Sequence, residues 1–165
     1  MTVAVVGRDG VLVHAGQRFR AALGRGGIVA QKQEGDGGTP AGMLPLRRVL
    51  FRADRLGRPR TVVPVSLLAP EDGWCDEVGD AAYNRAVRLP YPARHEALWR
   101  GDAAYDVIGV LGWNDAPVER GRGSAIFLHV ARDDYAPTEG CVALARGDLL
   151  AVLAAGLTAI EVVGV

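Results

Sequence analysis

Short apolar runs set apart by glycine, proline and aspartate are the feature that most limits how this chain can fold. Val11–His14, Leu46–Phe51, Tyr105–Trp113, Ala125–Ala131 and Thr158–Val163 are long enough for strands and too short for ordinary helices. With 22 glycines and 9 prolines in 165 residues, no long amphipathic helix can run uninterrupted. The pattern predicts a mainly β fold, a sandwich or partly open barrel with one or two short helices. The absence of any linker, repeat or low-complexity tract predicts a single domain over residues 1–165.

Along the chain, Thr2–Val6 and Val11–His14 flank Gly7-Arg8-Asp9-Gly10 and read as a hairpin. Gln17–Leu23 and Gly26–Gln31 are further strand candidates. Glu34 to Gly42 (EGDGGTPAG) is almost pure turn chemistry and reads as a loop. Pro64 interrupts the strand candidate Thr61–Leu68, which argues for an edge or a bend. Residues 70–84 read as irregular, and a short helix is expected at His95–Arg100. A second helix is expected at Asp148–Ala155, capped near Gly147 and stopped by Gly156.

Charge excludes several partners. Lysine and arginine total 19 against 19 acidic residues, so a strong field for nucleic acid or an anionic membrane is not expected. The balance is uneven, with 11 basic and 4 acidic residues in 1–60 and 8 against 15 in 61–165. The arginines at 47, 48, 52, 55, 58 and 60 either steer an anionic substrate or form a solvated face neutralised by the acidic second half, and the second reading is favoured. No apolar run is long enough for a membrane-spanning helix, and the first residues do not read as an export signal. Cys75 and Cys141 cannot make a disulfide framework. The three histidines, at 14, 95 and 129, pair with neither cysteine at zinc-site spacing, so a structural zinc is not expected.

One segment carries chemistry. Strand alternation puts Ile126, Leu128 and Val130 on a core face, and Ala125, Phe127, His129 and Ala131 on the other. Beyond a loop the chain reads Thr138-Glu139-Gly140-Cys141-Val142. A glycine before a strand-starting cysteine permits close backbone approach and lets amide N–H groups converge as an oxyanion hole needs. If the two strands lie side by side, Cys141 returns to His129, which supplies the base a thiol requires. Each residue also has an ordinary reading, as buried packing for the cysteine and as space-filling for the histidine. Cys75, with no histidine near it in sequence, reads as structural.

The whole segment resembles the L,D-transpeptidase catalytic domain family of the YkuD type, whose signature is a strand histidine followed by Ser/Thr-x-Gly-Cys and an aliphatic residue. The stretch from Lys32 to Gly42 is similar to the family's upstream Thr-Pro-x-Gly region. Gly73-Trp74-Cys75-Asp76, Tyr83-Asn84-Arg85 and Gly123 to Ala131 resemble its small, single-domain branch, and the resemblance is strongest over residues 28–163. Two positions depart from it: Glu139 stands where many members have histidine, and Ala143 where many have arginine or asparagine.

The resemblance implies cofactor-free peptidoglycan cross-linking. Cys141 would be the nucleophile, His129 the general base and acid, and Gly140 part of the oxyanion turn. Thr138, Arg132 and Arg146 would contact substrate, the arginines standing in for the cation lost at Ala143. A backbone carbonyl or a polar group such as Ser124, Asp133 or Asp134 would orient His129. The implied partner is the peptidoglycan stem peptide and the implied location the cell envelope, although no signal segment is visible and a cytoplasmic substrate stays open. The alternatives are an L,D-carboxypeptidase, another Cys/His amidase or peptidase of the cell wall, and a non-catalytic β-domain that binds glycan or peptide.

Overall fold

The computed structural model describes residues 2–165. In chain order its elements are β1 (Thr2–Val6), β2 (Val11–His14), β3 (Gln17–Ala22), β4 (Ile28–Val29), β5 (Thr39–Pro40), β6 (Gly42–Phe51), β7 (Val65–Leu67), β8 (Asp72–Cys75), β9 (Ala86–Arg88), β10 (His95–Ala97), β11 (Val107–Leu111), β12 (Phe127–Val130), β13 (Val142–Leu144), α1 (Arg146–Ala154) and β14 (Leu157–Val162).

The main sheet runs β11-β12-β13-β3-β2-β1-β14-β6-β7, and a further pairing of β11 with β6 closes eight of these strands into a barrel. Closure depends on the length of β6. Its first half, Gly42–Pro45, pairs with β14, while Leu46 and Arg48–Phe51 pair with β11. A barrel removes the unpaired edges an open sheet would expose. Only the short β7 hangs outside, beside Val49–Phe51, and the strand expected over Thr61–Leu68 shrinks to Val65–Leu67, after Pro64.

Alternation fills the barrel. Ala4, Val6, Leu12, Leu44, Leu128, Val130, Val142, Leu144 and Ile160 join one apolar cluster, which α1 completes with Leu149, Val152 and Leu153. The helix starts two residues earlier than expected, at Arg146, because Ala145 already takes the cap position; it carries no side-chain cap. Gly156, at φ +95°, lets the chain turn out of the helix into β14.

The expected helix at His95–Arg100 does not form. His95–Ala97 instead pairs with Gly73–Cys75, and β8 pairs in turn with β9, giving a separate three-stranded sheet. Pairing satisfies the backbone more fully than one uncapped helical turn would. That sheet covers the outer face of β11 and β12 with a second apolar cluster of Trp74, Leu98, Tyr105, Ile108, Phe127 and Cys141. Trp74 and Tyr105 both meet the Phe127 ring edge-on, at centroid distances of 5.1 and 5.8 Å. The face of β12 expected to look outward is therefore roofed by aromatic packing at Phe127 and opens beyond it.

Of the arginines at 47, 48, 52, 55, 58 and 60, three are spent on ion pairs. Arg47 pairs with Asp115 at 3.0 Å, Arg52 with Asp54 at 2.7 Å and Arg55 with Asp106 at 2.7 Å. Half of the cluster is thus neutralised, by Asp54 as well as by Asp106 and Asp115 of the second half, while Arg48, Arg58 and Arg60 make no ion pair among the described residues.

Candidate active site

Parallel pairing of β12 with β13 sets His129 opposite Ala143 and Leu128 opposite Val142. Cys141, one residue before β13, thus falls beside Phe127, whose N–H points to the sulfur at 3.3 Å. His129, Cys141 and Ala143 line one cavity, together with Glu96, Arg100, Tyr105, Arg132, Thr138 and Glu139. The substitution of alanine at position 143 leaves space beside the histidine rather than a cation.

The ring of His129 is held by its neighbours. Its Nδ1 lies 3.0 Å from the Val130 carbonyl oxygen, which can only accept, so Nδ1 carries the hydrogen and Nε2 is left free to take a proton. Tyr105 meets the ring edge-on at 5.4 Å. The orienting group is thus a backbone carbonyl. Ser124 instead donates to Glu34 at 2.6 Å, and Asp134 accepts the Ala136 N–H at 3.0 Å. Asp133 lines the neighbouring cleft rather than this cavity.

The thiol rests in a neutral, enclosed setting. Its Sγ donates toward the Ala125 carbonyl at 3.3 Å, and neither of its hydrogen bonds runs to His129. Burial pushes the Cys141 thiol up to about 12; the Glu96 carboxylate adds to the rise, while the Phe127 N–H opposes it. Burial also pulls His129 below its ordinary value, against the bond to Val130. Both effects favour a thiol and neutral imidazole over a standing thiolate–imidazolium pair.

The turn entering Cys141 is built by Thr138. Its Oγ1 donates to the Cys141 carbonyl at 2.7 Å and accepts the Gly140 N–H at 3.1 Å. The Gly140 amide is therefore engaged, and the Cys141 N–H takes part in neither bond. Gly140 has φ +136°, and a Cβ there would lie 2.7 Å from the Gly38 carbonyl oxygen. Gly38 belongs to the turn-rich loop before β5, which docks on this turn. Thr39, fully buried, accepts the Gly24 N–H at 2.9 Å, and Gly24 forms a β-bridge with Thr138. Glu139 is tied to Arg25 at 2.9 Å on the exposed rim.

The arginines proposed from sequence separate. Arg132 stands in the cavity wall. Arg146 does not, because its guanidinium is bound to the buried Asp106, which Arg55 also holds. A second cleft adjoins the first along Val130, Ala131 and Arg132, and it is there that Arg146 lies.

Three cavity residues were missed. Arg100 donates twice to Asp102, at 2.9 and 2.6 Å. Tyr105 donates its hydroxyl to Glu96 at 2.8 Å. Glu96 reaches the cavity only because β10 is a strand on the covering sheet, and no spacing relative to Cys141 or His129 announces it. Cys75 is fully buried on the same sheet, opposite His95 on the neighbouring strand but with no hydrogen bond to it, and its Sγ lies 3.6 Å from Asp80.

Comparison with known proteins gives one match: the family model of the L,D-transpeptidase catalytic domain, YkuD, covers residues 2–158. No curated protein and no solved structure matches the chain.

Proposed function

The chain belongs to the L,D-transpeptidase catalytic domain family, and from that premise we propose that it transfers acyl groups between peptidoglycan stem peptides through a thioester on Cys141. The observation that carries this reading is the shared cavity of Cys141 and His129, with Nδ1 of the histidine pinned by Val130 and Nε2 free.

In the first half-reaction His129 Nε2 takes the Cys141 proton as Sγ attacks the carbonyl carbon of the third stem residue. The tetrahedral intermediate collapses by breaking the bond to the terminal D-alanine nitrogen. The imidazolium gives its proton to that leaving amine, and the thioester remains. In the second half-reaction a side-chain amine of another stem attacks the thioester, loses a proton to Nε2, and the sulfur leaves as the thiol. The Cys141 N–H is the proposed oxyanion donor; one such donor is worth about 2.7–4 kcal/mol in a comparable site. Thr138 holds the turn that aims it. Because the thiol is neutral at rest, proton transfer and attack are proposed to be concerted with substrate binding.

Arg132 is proposed to meet a substrate carboxylate, in the role that Ala143 cannot fill, in preference to Arg146, which lies in the adjoining cleft with its guanidinium bound to Asp106. From the proposed substrate we infer a location in the cell envelope. No helix among the described residues is long and apolar enough to cross a membrane.

Incubation with purified tetrapeptide stems, followed by mass spectrometry, tests the proposal. Release of D-alanine with cross-linked product is the expected result. Release without cross-links means that water resolves the thioester and the enzyme is an L,D-carboxypeptidase. No release, together with no covalent adduct from a carbapenem-type β-lactam, overturns the acyl-transfer reading.

A further inference from the structure

Glu96 is the one acidic group facing the reacting thiol whose charge the fold does not use. Its Oε2 accepts the Tyr105 hydroxyl at 2.8 Å, and among the described residues Oε1 has no hydrogen-bond partner. Arg100, in the same cavity wall, offsets this charge only from a distance: its guanidinium is bound twice to Asp102 and lies over the Tyr105 ring at 5.2 Å, makes no ion pair with Glu96, and does not outweigh the burial that raises the Glu96 carboxyl. Arg132 lines the cavity too, yet no ion pair joins it to Glu96. A half-buried carboxylate left without a cation is costly.

The cost falls on the chemistry as well. A negative charge beside Cys141 disfavours the thiolate that acylation must generate. Tyr105 does not require the charge, since a glutamine oxygen would also accept its hydroxyl, though less strongly. A cationic ligand group would account for both. An ammonium placed against Oε1 pairs the stranded carboxylate and cancels its field at the sulfur, so that substrate binding itself eases thiolate formation.

We propose that Glu96 is the cation subsite of this cavity and receives a side-chain ammonium of the peptide that is processed at Cys141. The assignment rests on the acyl-transfer reading for its substrate class, and its own test is a binding measurement that needs no turnover. The ammonium belongs either to the residue whose carbonyl is attacked or to the incoming acceptor amine. The two sources share one chemistry and are separable by experiment.

The test uses the full chain and two tetrapeptide stems, one with lysine as third residue and one with its neutral isostere norleucine. Binding is measured by calorimetry on Cys141→Ser protein, with and without Glu96→Gln. The lysine peptide is expected to bind about ten- to a hundredfold more tightly than the norleucine peptide, the worth of one charge-assisted hydrogen bond. Glu96→Gln is expected to erase the difference by weakening only the lysine peptide. If both peptides weaken equally, or if the preference survives the substitution, Glu96 merely supports Tyr105 and the inference fails. It also fails if neither peptide binds.

With Cys141 restored, a loss of D-alanine release in Glu96→Gln assigns the ammonium to the attacked residue. A loss of cross-links alone assigns it to the acceptor. Glu96-dependent binding with no D-alanine release from the unsubstituted chain would leave the subsite standing and remove the acyl-transfer reading instead. An independent readout is alkylation of Cys141 by neutral iodoacetamide, which should be faster in Glu96→Gln than in the unsubstituted chain. An unchanged rate would show that the carboxylate does not act on the sulfur.

Discussion

The Gly38 carbonyl oxygen lies 2.7 Å from the point that a Cβ on Gly140 would occupy, so the loop before β5 and the turn into Cys141 touch backbone to backbone. Neither side can yield easily. Gly24 is equally confined, with a Cβ there falling 2.2 Å from the Gly37 carbonyl. The loop is thus a mould for the turn that presents the thiol.

Gly140→Ala should therefore do two things at once. The positive φ and the contact with Gly38 should lower stability by about 1–3 kcal/mol, the usual cost of a strained backbone site. The displaced turn should also slow formation of the carbapenem adduct in whatever fraction stays folded. Thermal unfolding and intact-mass kinetics on the same sample check both. A near-normal adduct rate would reduce the glycine to an ordinary loop residue.

The two cysteines should behave oppositely. Cys75→Ser should keep most of the turnover, because that thiol is enclosed beside Asp80, makes no hydrogen bond to its cross-strand neighbour His95, and lies outside the cavity of Cys141. In Cys75→Ser protein the only remaining thiol is Cys141, held up to about 12 by burial. Its alkylation should be slow at neutral pH and climb about tenfold per pH unit through the range 7 to 10, following the thiolate fraction. A rate that levels off between pH 7 and 9 would contradict the neutral resting thiol.

Stability should fall on the acid side. His14 and His129 are both held below the ordinary histidine value by burial. The unfolded chain binds protons at these residues near pH 6.5 while the folded chain does not. Their contribution is thus fully present above about pH 6.5 and is lost as pH falls toward the lower folded values. Urea unfolding between pH 5 and 8 should show this slope, and His14→Gln should flatten part of it. A stability unchanged across that interval would overturn the assignment.

Arg132 and Arg146 should also part company. Arg132→Ala should raise KM for stem peptides with little change in melting temperature. Arg146→Ala should lower the melting temperature, because Asp106 is buried and keeps only Arg55, and should leave KM nearly unchanged. The reverse pattern would move the substrate carboxylate into the second cleft.

How much of this the sequence reveals depends on the range of the signal. His129, Gly140 and Cys141 are legible because alternation and a four-residue motif fix their local geometry before any tertiary contact exists. Barrel closure is not, since it depends on β6 bending to serve two neighbours over ten residues. Glu96 is hidden for a related reason. His95–Arg100 has no periodicity of its own, and only pairing with β8 makes it a strand facing the site. The orienting partner of His129 is a backbone carbonyl, which any residue at position 130 would supply and no residue type can advertise.

The central test joins His129 to Cys141. With Nδ1 occupied by Val130, the imidazole offers one nitrogen, and the enclosed thiol has no other base in its cavity suited to accept its proton. Glu96 and Glu139 line the same cavity, and as carboxylates both are too weak as bases for a thiol raised so far. His129→Ala should thus keep the fold, since the ring packs edge-on against Tyr105 while the β12–β13 pairing at this position is made by the backbone. It should slow acylation by a factor on the order of 10²–10⁴, the ordinary worth of a positioned general base. Cys141→Ser should form no adduct at all. Peptide mapping after carbapenem treatment should place a single inhibitor on the fragment containing Cys141. A His129→Ala variant that acylates at the unsubstituted rate would mean that substrate or solvent takes the proton, and the pairing of these two residues in one cavity would then be packing rather than chemistry.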